Sequence, residues 1–72
     1  MKDYIDPYVL EILKIVKENP RIGLRKLIKL TKKSPQTISK RIKWLVKNGY
    51  LTHSNGYEIT EKGEKLLTIT VN

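Results

Sequence analysis

One predicted helix, residues 35–48, carries the side chains best suited to chemistry in this sequence. At 100° per residue, one amide and three amines fall on one side of it: Gln36, Lys40, Lys43 and Lys47. An amide near the start of a helix can hydrogen-bond to the edge of a nucleic-acid base, and lysines behind it can bind phosphates. The flanks carry four further side chains: Thr37, Ser39, Arg41 and Trp44. The spacing therefore predicts a face that contacts a polyanion.

The distribution of charge along the chain favours the same conclusion. The net charge is +8, yet segments 1–20 and 48–72 each contain one more acidic residue than basic residues. The acid-free segment, residues 21–47, contains no acidic residue and ten basic ones: Arg21, Arg25, Lys26, Lys29, Lys32, Lys33, Lys40, Arg41, Lys43 and Lys47. Such segregation is typical of proteins that bind polyanions. The alternative, a solvated lysine-rich surface of the thermophile kind, usually intersperses Glu with Lys.

The residue inventory excludes several functional classes. No Cys and a single His exclude disulfides, a zinc finger and a transition-metal cluster, so we expect no metal and no cofactor. No phosphate loop and no acid–base or nucleophilic constellation can be assembled, so we expect no enzyme. No apolar run approaches the ~20 residues of a membrane span, and the acidic start is unlike a signal peptide. The sequence predicts a cytoplasmic, nucleoid-associated protein, and its abundant Lys and Ile without Ala are typical of an AT-rich or thermophilic source.

Start and stop signals predict a single domain over 1–72 with a helical first two-thirds. Asp-Pro at 6–7 and Ser-Pro at 34–35 are helix starts, whereas Asn-Pro at 19–20 and Asn-Gly at 48–49 are helix stops. The helices expected from these signals and from the apolar spacing cover residues 7–18, 24–31 and 35–48. The first helix has a core face of Val9, Ile12, Leu13 and Val16, and the third has one of Ile38, Ile42 and Leu45. On the second helix Leu24, Leu27, Ile28 and Thr31 share one face.

After the third helix the apolar period changes to 2, which predicts a β-hairpin over 50–60. Leu51 and Ile59 must both face the core, and a two-residue turn would instead pair Leu51 with Thr60. A three-residue loop with a left-handed Gly56 pairs Leu51 with Ile59. The expected register therefore pairs Leu51 with Ile59 across a loop of three residues, 54–56.

The same register places His53 opposite Tyr57, where we expect ring packing and not a pH sensor. Thr60 then caps a short fourth helix over 61–67. The tail, 68–72, is expected to be a strand or extended chain.

The order of these elements resembles the winged helix-turn-helix family over about residues 7–67, and three runs carry the resemblance: LIKLTKKSPQTIS (27–39), LVKNGYL (45–51) and YEITEKG (57–63). The last is similar to the segment after the wing in bacterial and archaeal repressors of the MarR and PadR types. The resemblance implies a mainly α fold with a small β-hairpin: a three-helix core, a two-stranded wing and a short C-terminal helix. It also implies DNA contacts at Ser34, Gln36, Thr37, Lys40, Lys43 and, at the wing tip, Asn55.

Two features depart from the family pattern. Many relatives have Gly and then an apolar residue in the turn between the second and third helices, where this chain has Lys32 and Lys33. The two lysines add charge that can reach phosphates. The wing tip, residues 54–56, lacks the arginine that often enters the minor groove, so minor-groove readout by the wing is expected to be weak.

Charge and resemblance together predict a transcriptional regulator that binds double-stranded DNA, with the third helix in the major groove and no small-molecule effector. Phosphate contacts are expected from Arg25, Lys26, Lys29, Lys32, Lys33, Lys40, Arg41, Lys43 and Lys47. Base edges are expected to be contacted by Gln36, Thr37, Ser39 and Lys40. The alternatives are a winged-helix protein-docking module and an RNA-binding module. Docking needs no acid-free segment, and RNA modules usually present several aromatic rings.

Apolar residues at the two ends of the chain exceed what a monomer of this size easily buries: Tyr4, Ile5, Tyr8, Ile15, Leu67, Ile69 and Val71. They predict a two-fold homodimer, although packing on each other within one chain is the alternative. Trp44 is expected to cover the edge of the core, and not to stack on a partner.

Overall fold

Helices form most of the computed structural model, which describes residues 6–71 and the side chains of residues 6–69. The elements run in the order α1 (Pro7–Glu18), α2 (Leu24–Thr31), α3 (Pro35–Lys47), β1 (Leu51–His53), β2 (Tyr57–Ile59) and α4 (Glu61–Val71). This is the mainly helical fold with one hairpin that the sequence predicts. The first two helices have the predicted bounds, and the third ends one residue earlier than predicted.

Helix α1 supplies the centre of the core. It begins at Pro7 because the Asp6 carboxylate accepts a hydrogen bond of 2.9 Å from the Val9 N–H, as an N-cap does. The predicted face is buried: Val9, Ile12, Leu13 and Val16. Each such aliphatic side chain stabilises the fold by about 1.5–3 kcal/mol when it leaves water. Helices α2 and α3, strand β2 and helix α4 all pack against α1.

The turn between α2 and α3 has the geometry usually given by a glycine. Lys32 follows α2 in the left-handed conformation, with φ +58°, and its N–H donates to the Ile28 carbonyl over 3.1 Å. Ser34 then caps α3 by accepting from the Thr37 N–H over 3.2 Å. The lysines that replace the family's glycine and apolar residue therefore leave the turn intact.

The hairpin has the predicted register, with Leu51 opposite Ile59 and His53 opposite Tyr57. Gly56 lies in the loop with φ +100°, as the three-residue turn requires. The rings of His53 and Tyr57 stack with centroids 4.2 Å apart. Packing of His53 against Tyr57 is therefore confirmed.

A third segment joins the hairpin, which the sequence did not predict. Ile22 forms an antiparallel bridge with Tyr57: the Tyr57 N–H donates to the Ile22 carbonyl over 2.8 Å, and the Arg21 N–H donates to the Tyr57 carbonyl over 3.0 Å. Ile22 is buried in the core. The bridge ties the loop between α1 and α2 to the wing, and a single bridged residue is too short to give a strand pattern.

Helix α4 is longer than predicted, so the expectation of a strand or extended chain beyond residue 67 was wrong. It runs to Val71. The β-branched residues of this stretch favour strands, but Gly63, Leu66 and Leu67 have the i, i+3, i+4 spacing of one helix side and are buried or half-buried, and α4 contacts α1. The Thr68 hydroxyl donates to the Glu64 carbonyl over 3.0 Å, as Ser and Thr hydroxyls often do within helices.

Helix α4 lies so close to the wing that Gly63 cannot gain a side chain without movement. A Cβ there would collide with the Tyr50 carbonyl oxygen and lie 2.8 Å from Ile59 Cγ1. We expect Gly63→Ala to lower the free energy of unfolding by roughly 1–3 kcal/mol, the cost of overpacking, in urea denaturation. The control is Lys65→Ala, at an exposed position of the same helix, which is expected to change the free energy of unfolding by less than about 0.5 kcal/mol. Equal losses in the two variants would contradict this packing.

Candidate nucleic-acid interface

Helix α3 separates an apolar side from a polar one, as its sequence predicts. Ile38, Ile42 and Leu45 are buried. The opposite side is exposed and carries Gln36, Lys40, Lys43 and Lys47. These four positions fall within about 60° of one another on an α-helix, so they form one strip, which we call the α3 face.

The first turn of α3 is fixed by two hydroxyl groups. Ser34 Oγ accepts from the Thr37 N–H and donates to Thr37 Oγ1 over 2.9 Å. Thr37 and Ser39 are half-buried, whereas Gln36 between them is exposed. The hydroxyls hold the helix start, and the amide of Gln36 is the group that projects from it.

Further cations flank the α3 face on α2 and the turn. Four predicted phosphate contacts are exposed: Arg25, Lys26, Lys29 and Lys32. Lys33 is exposed too, but its Nζ lies 5.3 Å from the centroid of the Tyr8 ring of α1, in cation–π range. The cations of α2 and of the turn are therefore accessible to solvent on the elements that directly precede α3.

Arg41 differs from the other predicted contacts because an acidic side chain holds it. Its Nε and Nη2 donate to Asp6 Oδ2 over 3.0 and 2.8 Å, and its side chain is only 17% exposed. Its guanidinium carbon also lies 5.7 Å from the Tyr8 ring centroid. In this fold Arg41 ties α3 to the start of α1, and its expected contact with phosphate stays a prediction.

One carboxylate thus performs two functions, since Asp6 Oδ1 caps α1 while Oδ2 binds Arg41. Burial raises the pKa of Asp6, but the hydrogen bonds from Arg41 and the Val9 N–H, together with the charge of Arg41, outweigh it. The pKa of Asp6 therefore lies below its ordinary value. The charged form is the one that the fold binds.

Lys62 is a residue at the other end of α3 that the sequence did not single out. Its Nζ donates to the Asn48 carbonyl over 2.8 Å and lies 4.6 Å from the Tyr50 ring centroid. The Tyr50 ring stacks on Trp44, with centroids 5.5 Å apart. Trp44 is half-buried against the core, which confirms the expectation that it covers the core edge. A cation near the last carbonyls of a helix also complements its dipole.

The wing tip is exposed at Ser54 and Asn55. Arg21, from the loop between α1 and α2, lies beside these two residues and Glu58, and the four line one small groove. No sequence pattern predicts this proximity, since Arg21 and the wing are joined through the unpredicted bridge at Ile22.

The residues of the predicted dimer interface fall into different environments. Leu67 is buried and Ile15 is half-buried against the core of the same chain, so Leu67 is not available to a partner and that expectation is corrected. Tyr8 is 37% exposed and Ile69 is 75% exposed. Tyr4, Ile5 and the side chain of Val71 lie outside the described residues.

Residues 6–71 contain neither a cluster of metal-binding side chains nor a membrane-spanning helix. No three His, Asp or Glu side chains in this part of the chain come together in a group that could hold a metal ion. Within the same range, no helix is long and apolar enough to cross a membrane.

The Asp6–Arg41 pair predicts a specific pH dependence. Because folding lowers the pKa of Asp6, the pair stabilises the fold above the ordinary carboxyl pKa, and this contribution disappears as the pH falls through the lower folded value. In Asp6→Asn the cap is retained but the charge is lost. We expect the stability difference between wild type and this variant, measured by urea denaturation, to shrink steadily as the pH falls below about 4. A difference independent of pH would contradict this role.

Comparisons with known proteins agree with this architecture. The sequence profile of the winged helix-turn-helix DNA-binding family matches residues 5–52, which include α1, α2, α3 and the start of β1. A solved protein of unknown function from Listeria innocua Clip11262 superposes with a TM-score of 0.80 at 20% identity, over 92% of this chain and 50% of that one. This likeness concerns the fold, and the chain spans half the length of that protein. No curated protein sequence matches the chain. The matched profile covers most of the chain, including all of the α3 face, and the chain belongs to the winged helix-turn-helix DNA-binding family.

Proposed function

We propose that this protein is a transcriptional regulator that binds double-stranded DNA sequence-specifically or semi-specifically, with α3 in the major groove. The observation that carries the proposal is the α3 face: an exposed amide and three exposed amines opposite a buried apolar stripe, in a segment without any acidic residue. A major groove about 12 Å wide admits one α-helix. The subfamily, MarR-like or PadR-like, stays a prediction.

Gln36 and Lys40 are the proposed base-reading residues of the α3 face, together with Thr37 and Ser39 at its edges. Gln36 is exposed in the first turn of α3, the part of a recognition helix that usually meets the bases. Its amide can donate to and accept from adenine N6 and N7, and a lysine amine can donate to guanine O6 and N7. These donor patterns support readout of base edges as well as phosphate binding.

The remaining cations are proposed to bind phosphates and so to fix the position of α3. On α2 and the turn these are Arg25, Lys26, Lys29, Lys32 and Lys33; on α3 they are Lys43 and Lys47. At the wing tip, Asn55 is proposed to add a hydrogen bond. Phosphate contacts supply affinity and orientation without sequence information. Occupation of a promoter by this protein then blocks or recruits polymerase, with no enzymatic step and no small-molecule effector. The proposed location is the cytoplasm, in association with the nucleoid.

The α3 face favours DNA over the two alternatives. Protein-docking surfaces are depleted of lysine at their centres, whereas lysine dominates this face. Single-stranded RNA is usually held by stacked aromatic rings. Trp44, the aromatic residue of the acid-free segment, is half-buried and stacked on Tyr50.

The proposal is tested by fluorescence anisotropy of a labelled duplex of about 25 base pairs at several salt concentrations. We expect log affinity to fall with log salt with a slope of roughly −4 or steeper. In Lys40→Ala/Lys43→Ala the affinity is expected to fall and the slope to become shallower by about 1, since the phosphate contact of Lys43 is lost together with base reading by Lys40.

The matched control is Lys14→Ala/Lys65→Ala, which removes the same charge from exposed positions on α1 and α4. This control is expected to retain most of the affinity and the original salt slope. Absence of binding at low salt would overturn the proposal and direct the search to protein partners. Equal losses in both double variants would mean that only the net charge attracts DNA.

A two-fold dimer is part of the proposal, with the exposed side of α4 as its centre. Ile69 is 75% exposed, more than any other large apolar residue among the described side chains. A second copy that covers Ile69 and Tyr8 would remove both from water. On a palindromic site with half-sites one turn of DNA apart, the two α3 helices of such a dimer are expected to lie about 34 Å apart.

We expect sedimentation equilibrium to give a dimer for the wild type and a monomer for Ile69→Glu. The reason is that burial of a charge at a two-fold axis places it next to its own copy. Leu30→Glu, at an exposed apolar position of α2, is the control and is expected to dimerise. A monomeric wild type at high concentration would rule out the dimer.

A further inference from the structure

Arg21 is held at the wing by main-chain contacts, although it comes from the loop between α1 and α2. Its N–H donates to the Tyr57 carbonyl over 3.0 Å. Gly56 packs directly on the Arg21 main chain, so closely that a Cβ at position 56 would collide with it. The position of the Arg21 Cα is therefore set by the wing loop itself.

The backbone of Arg21 is in an unfavourable conformation. Its φ is +65°, in the left-handed region that costs a residue with a Cβ about 1 kcal/mol or more. The bridge at Ile22 and the contact with Gly56 hold this conformation in place. The loop thus keeps an arginine at a position where a glycine or asparagine would be less strained.

The side chain of Arg21 remains accessible. It is 74% exposed, and its Nε lies 3.5 Å from Glu58 Oε2, whose side chain is 49% exposed. This distance exceeds that of a good charged hydrogen bond, and an ion pair so exposed contributes little stability. Another anion can therefore replace the Glu58 carboxylate at small cost.

The surroundings of Arg21 suit a phosphate group. Arg21, Ser54, Asn55 and Glu58 line one open groove of about 180 Å³. Ser54 and Asn55 add a hydroxyl and an amide, both of which donate to phosphate oxygens. Arg21 supplies the cation that residues 54–56 of the wing lack.

We propose that Arg21 is the wing's contact with a DNA backbone phosphate, and that Glu58 holds its guanidinium in the unbound protein until the phosphate replaces the carboxylate. The proposal rests on the function proposed above and adds a residue to it. The wing then binds DNA through an arginine that the α1–α2 loop provides.

The first test is Arg21→Gln, which retains a long side chain at the strained backbone position and removes the charge. We expect its affinity for the duplex at about 0.1 M salt to fall by about threefold to tenfold and its salt slope to become shallower by about 1. Lys65→Gln, which removes one charge from an exposed position of α4, is the matched control and is expected to change neither. Thermal unfolding checks that both variants fold.

The second test is a double-mutant cycle with Glu58→Gln, which removes the competing carboxylate and leaves the wing otherwise unchanged. If Glu58 competes with phosphate for Arg21, the Glu58→Gln variant binds the duplex about threefold more tightly than the wild type does, which is the scale of an exposed ion pair. In the Arg21→Gln background the same change raises the affinity by much less. The Arg21 Nε–Hε NMR signal is expected to shift when DNA is added.

The outcomes separate this inference from the proposed function. If the wild type binds DNA but Arg21→Gln and Lys65→Gln behave alike, or the cycle is additive, Arg21 is not a phosphate contact while the role of α3 stands. If the wild type does not bind DNA, both proposals are overturned. A loss confined to Arg21→Gln, with coupling to Glu58, supports the contact.

Discussion

Burial of the apolar stripe of α3 against α1 is the constraint on which the interface depends. An α-helix that buries Ile38, Ile42 and Leu45 must present the opposite side to solvent, and that side carries the amide and the lysines. The same packing fixes the rotation of α3 about its axis, which the Asp6–Arg41 pair reinforces from the start of α1. The chemistry of the exposed face is therefore inseparable from the core beneath it.

The wing depends on close contacts between main chains as well as on the burial of Leu51 and Tyr57 in the core. Gly56 lies against the main chain of Arg21, and Gly63 lies against the Tyr50 carbonyl. The Thr60 hydroxyl joins the hairpin to α4, since it donates to the Gly49 carbonyl over 2.6 Å and accepts from the Gly63 N–H over 3.1 Å. A hairpin with only three residues in each strand is stable because the loop between α1 and α2 contacts it on one side and α4 contacts it on the other.

Features that follow from local rules could be predicted from the sequence, and features that depend on distant residues could not. Asp6 and Ser34 mark helix starts by capping, and the parity of Leu51 and Ile59 selects the hairpin register. Arg41 is different: its partner lies 35 residues away in the sequence, so its charge alone indicated phosphate binding. The prediction of a strand or extended chain beyond residue 67 was wrong for a related reason, because packing of α4 on α1 overrides the strand preference of β-branched residues.

NMR titration of the isotope-labelled protein with a short duplex shows whether DNA meets the α3 face. We expect the largest shifts in the amide signals of residues 34–47 and of α2, and smaller shifts at the wing. The amide signals on the exposed side of α4, around Lys65 and Thr68, are expected not to shift when one protein chain is bound to each half-site. Shifts centred on α4, with α3 unchanged, would contradict a contact between DNA and the α3 face.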